Sequence, residues 1–142
     1  MTRNVTADPV YVYKGAALAS YGFGDDHPFG TDRHDVFHAE LAEQSFDDAI
    51  VLADPRRASV DELALFHTAD YIDLVSRRSA SGQGYLDGGD TPAISGIFDA
   101  ACDVVGTTLA AVDAVMSGSA RRAFVPIAGL HHAARDRAAG FC

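Results

Sequence analysis

The sequence predicts an α/β fold built on a mainly parallel sheet, and three observations carry that expectation. Three short apolar runs, "VYVY" at 10–13, "AIVLA" at 49–53 and "AFVPIAG" at 123–129, are nearly continuous rather than alternating, which is the pattern of strands buried on both faces. Helical periodicities fill the gaps between them, so the order reads strand, helix, strand, several helices, strand. At 142 residues and 48% hydrophobic, the chain has the length and apolar content of one domain, taken as residues 1–142.

Each element has its own local signal. A helix is expected from about Asp32 to Ser45, with Val36, Phe37, Leu41 and Ala42 as its apolar stripe. "SVDE" at 59–62 is a capping box, in which the Ser59 hydroxyl accepts from the third helical amide and Glu62 reaches back. A helix through "LALFH" should follow, and Thr68 then caps "ADYIDLVSRR". The stretch "SASGQGYLDGGD" at 79–90 is too rich in glycine for a regular element and reads as a surface loop. After it, Thr91 and Pro92 read as N-cap and first residue of a long core helix, whose Ile97, Phe98, Ala101, Val105, Leu109, Val112 and Met116 keep a helical period to Gly118. Pro126 lacks an amide donor and pushes the third strand toward an edge or a bulge.

Charge and cysteine usage narrow the function. A net charge of −9 disfavours nucleic acid, whose affinity rests on clustered Lys and Arg, and would suit a cationic peptide or polyamine. Two cysteines, Cys102 and Cys142, do not make a disulfide scaffold, so a reducing cytoplasm fits best. No run approaches the roughly 20 apolar residues of a membrane span, and the first residues do not read as a signal sequence.

Three stretches could carry chemistry. "HDVFH" places His34 and His38 one helical turn apart, able to share a metal, but the zinc-protease pattern requires Glu where Asp35 stands. A solvated helix face is the preferred account of that pair. The glycine-rich loop lacks the spacing and the lysine of a phosphate-binding loop, although Asp90 at its end could present a carboxylate to a ligand. His131 and His132 follow the third strand, and in parallel sheets ligand sites gather at the carboxyl ends of strands.

The ordered series "YGFGDDHPFG", Arg33, "ELALFHTADYI", "GGDTP", "GLHHA" and "GFC" resembles the N-terminal part of the histone deacetylase family, in particular its bacterial acetoin-utilisation branch. The resemblance implies a three-layer α/β fold of the arginase/deacetylase type, present here in its N-terminal portion, and hydrolysis of acetyl-lysine or of a small acetylated amine by one zinc ion. It implies that His132 is the general acid/base and that His131 stabilises charge beside it. Phe141 and Gly140 match the tunnel that grips the acyl-lysine stem, Asp90 the rim aspartate that binds substrate amides, and Arg33 the arginine of an internal cavity. Tyr21, His27 and Pro28 fall in the family's first loop. The chain departs from the pattern in "VPIAGLHH", where the family has a polar residue and a Gly-Gly pair.

The family's zinc ligands, an Asp-x-His pair and a later Asp, and its carbonyl-polarising tyrosine lie beyond "GFC". The expectation is therefore no catalytic zinc and no significant deacetylase activity for this polypeptide alone. The alternative is a non-catalytic acyl-lysine-binding or regulatory fragment. Three strands of a larger sheet should also leave an edge and an apolar face open, which favours a homo-oligomer or marginal stability.

Overall fold

The computed structural model of the chain describes residues 8–24, 26–46, 48–129 and 131–142. Strand β1, Val10–Tyr13, is made wholly of β-branched and aromatic residues and lies at the centre of a three-stranded sheet. Strand β2, Ile50–Ala53, pairs with it in parallel, Val10 opposite Ile50 and Tyr13 opposite Ala53. Strand β3, Arg122–Phe124, pairs in parallel on the other side, Val10 opposite Arg122 and Val12 opposite Phe124. The order is β2-β1-β3, and an α/β fold with a parallel sheet is what the apolar runs predicted.

The expectation of strands buried on both faces holds at the carboxyl end of β1, where the consecutive residues Val12 and Tyr13 are both buried. It fails for the flanking strands, where Val51, Leu52 and Phe124 are exposed, because they are the outer members of this sheet. The third strand also stops short of its predicted end. It closes at Phe124, so that Pro126 stands outside the ladder and takes no amide from it.

Five helices surround the sheet among the described residues. Helix α1, Ala16–Ala19, is a single turn after β1 that no sequence signal announced, and its Leu18 is fully buried. Helix α2, Arg33–Glu43, lies within the predicted range, but only part of the expected stripe faces inward: Phe37 and Leu41 are partly buried beside the buried His34 and His38, whereas Val36, 62% exposed, and Ala42 face outward. Helix α3, Val60–Leu63, has the complete capping box, with Ser59 Oγ accepting from the Glu62 amide at 3.2 Å and Glu62 accepting from the Ser59 amide at 2.8 Å. It does not continue through "LALFH"; Leu65 and Phe66 are in an exposed turn. Helix α4, Ala69–Ser81, is capped by Thr68 as predicted and ends at Gly82 in the left-handed region, φ 63°.

Helix α5, Ile97–Met116, is the core helix, but it starts five residues after Pro92, behind Gly96 at φ 85°. Thr91 does not cap it: its side-chain oxygen, the acceptor a cap would offer to a helix amide, takes the amide of Phe141 instead. Pro92 instead sits opposite Tyr85 in an isolated bridge that closes the glycine-rich loop. The main core joins Tyr13, Leu18, Tyr21, Phe23 and Phe29 to Ile97, Ala100, Val104 and Ile127. No described helix is long and apolar enough to cross a membrane.

Candidate functional site

The segment after α1, the loop before α5, the histidine pair and residues 139–142 meet at one place. Ala139 and Cys142 exchange backbone hydrogen bonds, with the Cys142 amide on the Ala139 carbonyl at 3.1 Å. Between them Gly140 and Phe141 both have positive φ, 56° and 69°, the combination that defines a type I′ turn. Glycine accepts this conformation freely, whereas a phenylalanine there costs on the order of 1–2 kcal/mol.

Phe141 is held in that conformation from two sides. Its amide donates to Thr91 Oγ1 at 3.1 Å, and its carbonyl accepts from the Tyr21 hydroxyl at 3.0 Å. The ring then stands edge-on to His27, 4.4 Å between centroids, and 6.1 Å from Phe23. Tyr21, Phe23 and Phe29 complete the wall in edge-to-face contacts of 5.7 to 6.3 Å. Burial pushes the Tyr21 hydroxyl up to about 12, so it remains a donor at any ordinary pH.

His131 and His132 are both exposed, with ring centroids 4.4 Å apart; Leu130 between them and the strand lies outside the described residues. Nδ1 of His132 lies 3.3 Å from the Gly140 carbonyl. When that nitrogen carries the proton, Nε2 keeps a free lone pair directed away from the turn. Gly140 is needed for this approach, since a Cβ there would lie 2.5 Å from His132 Nδ1.

Asp90 is exposed at the head of the loop, and the residue that shapes the loop is Asp87. Its Oδ1 accepts the amides of Gly89, Asp90 and Thr91 at 3.0, 3.1 and 2.9 Å, and its Oδ2 accepts the Thr91 hydroxyl. Burial alone would raise this carboxyl, but its contacts with Asp90, Thr91 and Gly89 outweigh burial and hold it well below the usual carboxylate range. Asp87 and Tyr21 carry no motif of their own. The signal for Asp87 was its spacing, an Asp two to four residues ahead of Gly89, Asp90 and Thr91, which is where a carboxylate folds back onto following amides.

Arg33 is not brought into an internal cavity. It is exposed, and its guanidinium lies 4.6 Å over the Phe29 ring, a cation–π contact with the outer side of the aromatic wall. A cavity of about 260 Å³ is lined by residues of α3, α4 and α5, among them Leu63, Tyr71, Phe98 and Cys102, together with Tyr21, Phe23 and Cys142. Arg33, Phe141 and the two histidines do not line it.

The His34–His38 pair is not the solvated face expected of it. Both rings are buried, 4.6 Å apart. His34 has each nitrogen engaged, Nδ1 with Asp35 at 2.8 Å and Nε2 accepting from the Gly15 amide at 3.3 Å, so it offers no lone pair to a metal. His38 Nε2 has no partner among the described residues. Burial, then the neighbouring His34 and Lys14, lower the His38 pKa, against weaker opposing effects of the Tyr13 backbone and Asp35. Folding thus disfavours the charged form of His38, which titrates near 6.5 when unfolded, so stability is full above that value and falls as the pH drops below it. The expected result is a lower urea midpoint at pH 5.5 than at pH 7, with a smaller difference in His38→Leu; an equal difference in both proteins would clear His38 of the effect.

Comparison with known proteins bears on this arrangement directly. The sequence profile described as "Histone deacetylase domain" matches residues 27–142. The chain belongs to the histone deacetylase family. Acetoin utilization protein AcuC of Bacillus subtilis (strain 168) is 41% identical over 143 residues, which cover 95% of this chain and 36% of that protein. AcuC of Staphylococcus xylosus is 34% identical over 140 residues, and Histone deacetylase 8 of Xenopus tropicalis 39% over 95 residues. The crystal structure of the HDA15 HD domain superposes with a TM-score of 0.83 at 23% identity, covering 96% of this chain and 40% of that one, and this likeness speaks to fold alone. The chain thus spans about a third of the length of its AcuC relatives, and its sheet is part of the arginase/deacetylase architecture.

Proposed function

We propose that this chain supplies the acid/base histidines and the substrate wall of a deacetylase-family site acting on an acetylated lysine side chain or a small acetylated amine. The observation that carries the reading is the type I′ turn at Gly140–Phe141, which puts the His132 ring and the Phe141 ring on one short segment tied to the Asp90 loop. In this reading the exposed edge of Phe141 packs on the methylene stem of the lysine, and Asp90 accepts hydrogen bonds from the backbone amides beside it. His132 takes a proton on Nε2 while Nδ1–H is held by the Gly140 carbonyl, and later returns that proton to the departing amine. His131 stands beside it to stabilise the charge that develops.

In this family zinc polarises the acetyl carbonyl and acidifies a water. The described residues do not fit that ion: no three His, Cys, Asp or Glu side chains converge among them, and His34 has both nitrogens committed. In this reading the chain by itself has no significant deacetylase activity. Partners in this reading are an acetyl-lysine peptide or an acetylated amine, in the cytoplasm, without nucleic acid or membrane; the exposed Val51, Leu52 and Phe124 leave room for self-association.

The test is an acetyl-lysine peptide titrated into the chain and followed by NMR. Binding that weakens about tenfold or more in Asp90→Ala and in Phe141→Ala is expected, the loss typical of a charge-assisted hydrogen bond or a buried aromatic contact. In a chain extended to the length of its relatives, hydrolysis should be abolished by a chelator and lost in His132→Ala. Chelator-resistant turnover would defeat the catalytic reading, and absence of peptide binding in both proteins would defeat the substrate assignment.

A further inference from the structure

We infer that Asp87 is a positioning residue that sets the Asp90 carboxylate and the Phe141 ring as a single unit, through the hydroxyl of Thr91. The substrate role of that unit rests on the acyl-lysine reading above; the coupling itself does not.

The geometry runs in one line. Asp87 accepts three successive amides, those of Gly89, Asp90 and Thr91, and this fixes the backbone that carries Asp90. The same carboxylate accepts the Thr91 hydroxyl proton on its other oxygen. A hydroxyl has one proton, so with that proton committed to Asp87 the oxygen of Thr91 is left as an acceptor. It accepts the Phe141 amide, 50 residues away in sequence. Donation to a carboxylate polarises the hydroxyl and strengthens its lone pairs toward the Phe141 amide. Thr91 is 1% exposed, so water does not readily replace either contact.

Phe141 needs such a hold because it is a non-glycine residue at φ 69°. Strained conformations of this kind persist only where the surroundings over-determine them, and they concentrate at functional sites. The amide is tied through Thr91 to Asp87, and the carbonyl is tied to the Tyr21 hydroxyl. Asp87 is half-buried while Asp90 is exposed, so Asp87 acts through the amides and the hydroxyl that it holds.

The decisive experiment is amide hydrogen exchange by NMR on the whole chain, which needs no ligand. In Asp87→Ala the amides of Gly89, Asp90 and Thr91 should exchange about tenfold faster or more, and so should the amide of Phe141, which Asp87 does not touch. Thr91→Val should speed Phe141 in the same way, and Thr91→Ser, which keeps the hydroxyl, should restore it. Amides in the middle of α5, such as those of Val104 and Ala111, should be unchanged. If Asp87→Ala does not fold, Asp87→Asn, which keeps one acceptor oxygen, should give a smaller shift at the same four amides. Faster exchange confined to residues 89–91, with Phe141 unmoved, would overturn the inference. A peptide titration separates it from the acyl-lysine reading: Phe141 responding to Asp87→Ala in a chain that binds no acetyl-lysine peptide retains the coupling and discards the substrate.

Discussion

Gly106→Ala should destabilise the fold by about 3 kcal/mol or more, the upper range of overpacking a closed contact. The direction is informative because helix propensity alone predicts the reverse, a gain of about 1 kcal/mol for alanine over glycine in a helix interior. Gly106 sits in the middle of α5 where residues 56–58 cross it, and a Cβ there would lie 2.2 Å from the Arg56 carbonyl oxygen, 2.3 Å from the Ala58 amide nitrogen and 2.4 Å from the Arg57 carbonyl carbon. All three are backbone atoms, so no side chain can swing aside. The crossing is also hydrogen-bonded, with the Ala58 amide on the Cys102 carbonyl at 2.9 Å and the Arg56 amide on the Thr107 hydroxyl at 3.1 Å. Moving residues 56–58 away from α5 would break both. Urea unfolding of the two proteins checks it; an unchanged or raised midpoint for Gly106→Ala would show that α5 and residues 56–58 do not touch in this way.

The second large effect falls on the site instead of the fold. Gly140→Ala would place a Cβ 2.5 Å from His132 Nδ1 and 2.9 Å from its Cγ, at a φ of 56° that alanine adopts only with strain. The imidazole must rotate away, and the hydrogen bond that orders its two nitrogens goes with it. Because His132 is exposed, the global loss should stay within about 1–2 kcal/mol, the range of a left-handed alanine. The ring itself should respond strongly: its nitrogen shifts should move toward a mixture of the two neutral tautomers. In a chain extended to the length of its relatives, hydrolysis should fall at least about a hundredfold, the usual reach of general acid/base catalysis. A His132 spectrum identical in both proteins would remove the Gly140 contact from the mechanism.

The strands and the Ser59 and Thr68 caps were legible because each rests on local chemistry. Val10–Tyr13 can be little other than a strand, and Ser59 with Glu62 satisfies helix amides with no help from elsewhere. What misled were residues whose behaviour is decided at long range. Thr91 before Pro92 has the form of a helix start, but its side-chain oxygen accepts the amide of Phe141, 50 residues away, and the helix begins only behind Gly96. Val36 and Ala42 suggested the inner face of α2, yet both are exposed, and that face is set by what His34 and His38 reach, the Gly15 amide and the end of β1. The histidine pair was visible as a candidate from its place after a strand, and Gly140 and Phe141 only through the resemblance of "GFC" to the family's motif. The two-sided tether of Phe141 was not, since Tyr21 and Thr91 lie 120 and 50 residues away from it.

The central position of β1 has a consequence for synthesis. It leaves the ribosome first, pairs on one side with β2 once Ala53 has emerged, and then waits for Arg122 before its other side is covered. At about 5–20 residues per second that interval lasts several seconds, during which an apolar strand presents an open row of amides and carbonyls. A nascent chain in that state is a template for strand addition by any neighbour, so the yield of folded protein should depend more on how fast α3 to α5 are translated and docked than on the final stability of the sheet.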